Sequence, residues 1–276
     1  MPRIISIVNQ KGGVGKTTTA INLGAYLSFF GKFVLLVDLD PQANATSSLG
    51  IVRKNLNRGI YDTLINSTSL REIVIETNQQ GYKIAPSTPD LAGARVELVD
   101  LGDREYKLHQ ALLEVRNDYD YIIIDCPPSL DLLTVNGLVA ADEVLIPVQA
   151  EYLALEGLSQ LLDTINLVKN NLRPELDVSG ALVTMYDRRN KLSGQVLLEL
   201  RQHFPYKIFE TVIPRNIRLT ESPSYGQSIL TYDPQSTGAK AYKNLTREIL
   251  EAEIYSPVPS ETISFPDSNE SEKILN

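Results

Sequence analysis

Two lysines five positions apart, Lys11 and Lys16, stand in a glycine-rich run with the composition of a polyphosphate cradle. The run reads Asn9-Gln10-Lys11-Gly12-Gly13-Val14-Gly15-Lys16-Thr17-Thr18-Thr19 and follows the apolar segment Ile4–Val8. That segment predicts a buried strand, and a helix is predicted to open at about Thr17. In a strand–loop–helix of this kind, N–H groups freed by glycines face a concavity. The helix N-terminus adds its partial positive charge. Lys16 would supply a full charge to the β- and γ-phosphates, and the Thr17 hydroxyl is placed to ligate Mg²⁺. Nucleotide contacts are therefore expected from Lys11, Gly12, Gly13, Val14, Gly15, Lys16, Thr17 and Thr18.

The run departs from G-x-x-x-x-G-K-[ST], because Gln10 occupies the first glycine position. A loop that wraps phosphate cannot easily aim two ammonium groups inward, so Lys11 has two readings. It is an ordinary surface lysine, or it points outward to the phosphates of a nucleotide held by a second subunit.

Carboxylates at the ends of two further apolar segments complete the chemistry. Asp125 closes Tyr121–Ile124 and is placed to hold Mg²⁺, while Asp40, just after Phe33–Val37, is the candidate to orient an attacking water. Phosphoryl transfer needs alignment and charge neutralisation more than covalent chemistry, so Lys16, Asp40 and one metal ion can suffice. Asp38 reads as a strand-end residue supporting the loop. Pro214 can stack on a purine and Asn216 can read its edge; a plain strand-terminating turn is the other reading. Arg188, Arg189, Lys191, Arg215 and Arg218 form two basic clusters, either solvated surface or contacts to nucleic-acid phosphates.

These residues must be positioned by alternating strands and helices. Ile4–Val8, Phe33–Val37, Tyr121–Ile124, Val144–Val148, Val178–Thr184 and Ile208–Ile213 are nearly continuous apolar runs, as expected of strands covered on both faces. Helical spacing marks 17–29, 58–66, 89–100, 103–116, 129–141, 153–170, 191–203 and 235–253. The expected fold is α/β: a doubly wound, mostly parallel sheet with helices on both faces and its ligand outside the carboxyl ends of the strands. One nucleotide-binding domain, 1–254, is expected, followed by an acidic, disordered tail over 255–276.

Composition narrows the setting. The formal net charge is −8, and much of it lies in Glu251, Glu253, Glu261, Asp267, Glu270 and Glu272, set against Lys273. The rest of the chain is close enough to neutral for a basic face. No apolar run approaches the roughly 20 residues of a membrane span and no signal peptide is seen, so a soluble, cytoplasmic protein is expected. The single Cys126 excludes an internal disulfide. His109 and His203 show no metal-ligand spacing.

The loop resembles the deviant Walker A motif of the ParA/MinD family of P-loop ATPases. The likeness continues through Val37–Asn44, Ile124–Pro128, Pro147–Tyr152 and Val212–Asn216, so it spans residues 1–250 in the family's order, nearest the chromosomal ParA (Soj) branch. The resemblance implies an ATP-hydrolysing enzyme using Mg²⁺ that forms an ATP sandwich dimer, with Lys11 reaching across the seam. Gly12 would then have to be small where the loops meet. It implies hydrolysis dependent on Asp40 and adenine beside Pro214 and Asn216. It further implies non-specific DNA binding through Arg189 and Arg218, a nucleoid location, and stimulation by a ParB-type centromere-binding partner in chromosome or plasmid segregation. An ATPase that positions a protein cargo on the nucleoid shares all these residues. A MinD-like membrane switch would need a basic amphipathic C-terminus, and Ser268–Asn276 is acidic and polar. A metabolic phosphotransferase or ligase would need an acceptor pocket, for which no motif stands out.

Overall fold

The computed structural model describes residues 2–151 and 156–255. The tail expected from 255 onward, the first residues of the helix expected over 153–170, and Tyr152 lie outside the described residues, Tyr255 excepted.

Seven strands form one sheet: β1 (Arg3–Ile7), β2 (Val34–Asp38), β3 (Ile75–Glu76), β4 (Tyr82–Ala85), β5 (Tyr121–Asp125), β6 (Glu143–Gln149) and β7 (Asp177–Thr184), in the order β3-β4-β2-β5-β1-β6-β7. All pairings are parallel except β3 with β4. Helices α1 (Lys16–Phe29), α2 (Asn44–Ser48), α3 (Ile60–Asn66), α4 (Leu70–Ile73), α5 (Leu91–Glu97), α6 (Lys107–Leu113), α7 (Leu132–Ala140), α8 (Glu156–Asn171), α9 (Lys191–His203), α10 (Ile217–Glu221), α11 (Ile229–Tyr232) and α12 (Thr237–Tyr255) connect them. Two apolar clusters, one on each face of the sheet, make the core. One gathers Ile122, Ile124, Leu133 and Leu161; the other gathers Ile5, Ile7, Leu23 and Tyr242. This is the doubly wound α/β architecture expected.

Register decides where the chemistry lands. Ile7 pairs with Asp125 and Asp125 with Asp38, so β1, β5 and β2 end level. The glycine-rich loop therefore leaves β1 directly beside two carboxylates.

Two expectations need correction. Ile208–Ile213 forms no strand; it makes one isolated bridge to β7, Ala181 with Ile208, and a second bridge, Tyr186 with Pro214, lies just beyond both segments. Phe209 N and Ile213 N bond to β7 carbonyls, but the N–H groups of Glu210 and Thr211 between them donate to the Glu248 carboxylate on α12, at 3.0 and 3.1 Å. A side chain from the helix layer has taken the bonds that a ladder would use. Strands β3 and β4 were not expected, because two or four residues with Lys83 and Glu76 among them carry too short an apolar signal.

Helix α1 meets the sheet through a close approach. Tyr82, fully buried on β4, donates its hydroxyl to Ile21 O at 3.1 Å. A Cβ on Gly24 would lie 2.6 Å from both Tyr82 Cζ and Oη. The ring is enclosed and cannot step aside, so Gly24→Ala is expected to destabilise the chain by about 1–2 kcal/mol. Overpacking here outweighs the gain in helix propensity. Urea unfolding monitored by circular dichroism measures this, and an unchanged midpoint would count against it.

Candidate nucleotide-binding site

The loop is pinned at both ends before it turns. Asn9 donates from Nδ2 to Pro147 O (2.7 Å) and accepts Lys11 N–H on Oδ1 (2.9 Å). Gln10 Nε2 donates to Gly157 O (2.5 Å), and Thr184 Oγ1, at the end of β7, donates to Val14 O (2.8 Å). Gly13 and Gly15 take φ of 76° and 91°, the left-handed region that side chains resist. Gly15 is the N-cap of α1; no side chain caps the helix and its first turn holds no acid. The leading N–H groups of α1, which have no acceptor within the helix, thus face the loop's concavity with their partial positive charge.

The two lysines separate as steric reasoning requires. Lys16 is 6 % exposed, and its Nζ donates to Lys11 O at 3.2 Å, inside the loop. Burial pushes the Lys16 pKa down, and the nearby Asp125, Cys126 and Asp40 oppose that shift. Lys11 instead sends its side chain to the rim, with Nζ 4.0 Å from Glu151 Oε2. Glu151 also accepts from Gln149 Nε2 (2.7 Å) and lies 3.5 Å from Arg215 Nη2. A Cβ on Gly12 would meet nothing within 4 Å, so this chain's own packing does not demand a glycine there.

Asp125 is fully buried, and both carboxylate oxygens lack a hydrogen-bond partner. Desolvation, then the negative charge of Asp38, drives its pKa well above the usual carboxylate range; Thr17 and Lys16 offset this only in part. Two orphaned oxygens beside a hydroxyl fit a hard divalent cation, and Mg²⁺ on a nucleotide characteristically takes one or two protein oxygens and completes its shell with phosphate and water. No cluster of three or more His, Cys, Asp or Glu suited to a metal occurs among the described residues. Thr17 and Asp125 are the residues that would hold the ion.

Asp38 is equally buried but fully engaged. Its carboxylate accepts Thr46 N–H (2.8 Å), Thr46 Oγ1–H (2.7 Å) and Asp40 N–H (3.2 Å). Burial still lifts its pKa to about 6. It ties α2 and the Asp40 turn to β2, the supporting role read from its position. Asp40 is 7 % exposed; its carboxylate accepts Gln42 N–H at 2.9 Å, and its carbonyl accepts the Ser87 hydroxyl at 2.8 Å. Ser87 N in turn donates to Thr46 Oγ1 (3.0 Å). Sequence reasoning missed Asn9, Thr46, Ser87, Glu151 and Thr184. Of these, Asn9, inside the glycine-rich run, and Glu151, inside the Pro147–Tyr152 block, carried a signal.

Beside the loop opens a cleft of about 470 Å³ lined by Gly15, Thr18, Met185, Pro214, Asn216 and Tyr242, among others. Its position suits a base attached to phosphates on the loop. The Asn216 amide is already in use: Oδ1 caps α10 by accepting Arg218 N–H (2.8 Å), and Nδ2 donates to Thr237 Oγ1 (2.6 Å). Each amide group retains one further bonding position.

The basic residues divide. Arg188, Arg189, Arg215 and Lys240 line one depression of about 820 Å³ between the Tyr186–Arg189 segment and α12. Arg218 is not among the residues lining it; it stands on α10, paired with Glu221 (2.9 Å) and Asp233 (3.5 Å). Arg189, its side chain 91 % exposed, makes a two-pronged bond to Asp187 (2.9 and 3.1 Å), which holds the Asp187 pKa down to about 2. Cys126 is buried against Ser6 and its thiol is pushed up to about 12, so it serves the core.

Mg²⁺ is expected to raise the Tm of the ATP-bound chain, by an amount equivalent to about 2.7 kcal/mol when the ion is at a hundredfold excess over its Kd. Asp125→Asn should lose that increment while keeping the rise from ATP alone. The increment should also shrink as pH falls, since a carboxyl with a raised pKa protonates early and a protonated carboxyl does not ligate. For the metal-free chain the sign is the reverse. A raised folded pKa, about 6 at Asp38, stabilises fully below the unfolded value of roughly 4 and is lost as pH rises through the folded one. Thermal melts with Mg²⁺ from pH 6 to 8, and without it from pH 4 to 7, read these effects; an undiminished increment in the variant would remove Asp125 from the metal site.

The geometry is matched by likeness to known proteins. Residues 2–178 match the family model described as an AAA domain. The chain is 53 % identical over 249 residues to the sporulation initiation inhibitor protein Soj of Bacillus subtilis, covering 90 % of this chain and 98 % of that one. It is 53 % identical over 248 residues to the chromosome partitioning protein ParA of Myxococcus xanthus, covering 90 % and 88 %. Among solved structures, the cobyrinic acid a,c-diamide synthase of Mycobacterium smegmatis with bound ATP analog and magnesium superposes with a TM-score of 0.83 at 38 % identity, covering 92 % of this chain and 97 % of that one. A putative plasmid partition protein of Borrelia burgdorferi bound to AMPPNP does so with a TM-score of 0.78 at 27 %, covering 91 % and 100 %. A phosphate loop with an outward second lysine, an orphaned strand-end carboxylate and likeness at this level over nine-tenths of the chain lead to one assignment: the chain belongs to the ParA/Soj family of chromosome-partitioning ATPases.

Proposed function

We propose that this chain is a DNA-partition switch: ATP and Mg²⁺ join two copies face to face, the dimer holds DNA without sequence preference, and hydrolysis lets go. The observation that carries the reading is the division of the two lysines. Lys16 is committed to the interior of its own loop, while Lys11 sits at the rim, loosely paired, where a facing copy would present its phosphates. An exposed pair at 4.0 Å is weak and easily exchanged for a triphosphate. The open space around Gly12 supports a second loop approaching there.

Within the site, the uncapped N-terminus of α1 and Lys16 would bind and orient the phosphates, with Pro214 and Asn216 beside adenine. Mg²⁺, when bound, neutralises charge on the β- and γ-oxygens; Thr17 and Asp125 would hold it. Asp40 would orient the attacking water, its carboxylate steadied by Gln42 N–H. Arg189 and Arg218 would contact DNA phosphates, and a ParB-type partner would stimulate hydrolysis for a chromosome or plasmid cargo. The printed name of the ParA relative supports a role in chromosome partition, and a cytoplasmic, nucleoid-bound setting would go with that role. No described helix is long and apolar enough to cross a membrane.

Lys11→Ala is expected to retain some ATP affinity and to lose ATP-dependent dimerisation in size-exclusion light scattering; an unchanged ATP dimer would sink the reading. Random-sequence DNA should bind only with ATP and Mg²⁺. Arg189→Ala or Arg218→Ala should weaken that binding and lower the salt slope by about 0.9 for each DNA phosphate that is no longer neutralised. Asp187→Asn should have the opposite effect, since it releases Arg189 from its carboxylate. Equal DNA affinity across nucleotide states and variants, measured by fluorescence anisotropy, would overturn the DNA claim while leaving the ATP site intact.

A further inference from the structure

The last turn of α1, far along the helix from the phosphate loop, carries aromatic rings that the core does not absorb. Phe29 is 55 % exposed and stands edge-on to Tyr26 and Phe30, with centroids 6.1 and 5.5 Å away. Helix α12 lays two cations on these rings. Lys243 Nζ lies 5.4 Å from the Phe29 centroid, and the Arg247 guanidinium lies 5.9 Å from that of Phe30. Neither cation forms an ion pair among the described residues, whereas Arg3, Arg173, Arg189 and Arg218 all do. Phe33, just before β2, is 61 % exposed. Exposed phenyl surface under unneutralised cations suits a ligand that is apolar and anionic at once.

Such a ligand is tethered close by. α12 ends at Tyr255, eight residues and so about 12 Å beyond Arg247. Residues 256–276 then carry Glu261, Asp267, Glu270 and Glu272 against Lys273, with Val258, Ile263, Phe265, Ile274 and Leu275 among them. Phe265 comes ten residues after Tyr255, and ten extended residues span up to about 33 Å, so it can return over that distance with slack.

We propose that residues 256–276 dock on this face, with Phe265 against Phe29 and Phe30 and the flanking Glu261 and Asp267 on Lys243 and Arg247. The tether favours this occupant over a free acidic peptide. Exposed charge pairs are individually weak, and an attached segment works at an effective concentration of millimolar order that a free peptide seldom reaches.

The test uses the full chain, ¹⁵N-labelled, with a nitroxide on Ser268→Cys. Cys126, 1 % exposed, stays unlabelled. At low salt the amide signals of Phe29, Phe30, Lys243 and Arg247 should lose more than about half their intensity relative to the reduced label. They should recover in about 0.5 M salt, where screening cuts the Debye length to a few ångströms. The Phe29 and Phe30 signals should also recover in the Lys243→Glu, Arg247→Glu double variant, whose own spectrum reports that it is folded. Full intensity at low salt would overturn the proposal, as would broadening that persists in the double variant. Broadening seen only when labelled and ¹⁵N chains are mixed would assign the face to a second copy's segment and would overturn it too.

Discussion

Two carboxylates and an ammonium share a small volume at the carboxyl ends of β1, β2 and β5, nearly cut off from water, and the rest of the site is arranged around their electrostatic cost. Level strand ends impose this: Asp38 and Asp125 are paired across the ladder, and the loop from β1 brings Lys16 beside them. Asp38 is compensated by three hydrogen bonds. Asp125 is not. A buried, unsatisfied carboxylate is destabilising in the chain alone and becomes favourable only when a cation and phosphates arrive. The site stores its binding preference as an unmet electrostatic demand.

The same economy governs the loop. Side chains from three places, Asn9, Gln10 and Thr184, pin its backbone, so its free N–H groups are presented without rearrangement. Lys16 uses a backbone carbonyl as a provisional partner, since a carboxylate partner would compete with phosphate. At the rim, Glu151 lies between Lys11 and Arg215, and their pairing is long and half-exposed, so the charges remain available. Deep groups are held by geometry, while rim groups are held by weak and exchangeable attraction.

Surface arginines follow a related logic. Arg189 and Arg218 each lean on a neighbouring carboxylate, which lowers the positive potential they offer any polyanion. Among the described residues Lys243 and Arg247 form no ion pair and lie over aromatic faces, and that difference separates two kinds of basic surface on one acidic chain.

The phosphate loop, the strand-end aspartates, five of the seven strands and the helix over 191–203 were legible in the sequence, because each rests on local order: continuous apolar runs, glycines at fixed offsets, 3.6-residue periodicity. What tertiary structure alone decided was partnership. Ile208–Ile213 has the composition of a strand, yet Glu248, from α12, captured its middle N–H groups. β4 forms despite a weak apolar signal because β2 offers it an edge, and β4 in turn offers one to β3. Asp38 and Asp125 look alike in the sequence, each closing an apolar strand, and it is Thr46 and the Asp40 turn that make one a brace, while both oxygens of the other lack a partner. Glu248 lies 38 and 37 positions from the N–H groups it captures, and Asp38 meets Asp125 only across the sheet, so no local pattern encodes these pairings.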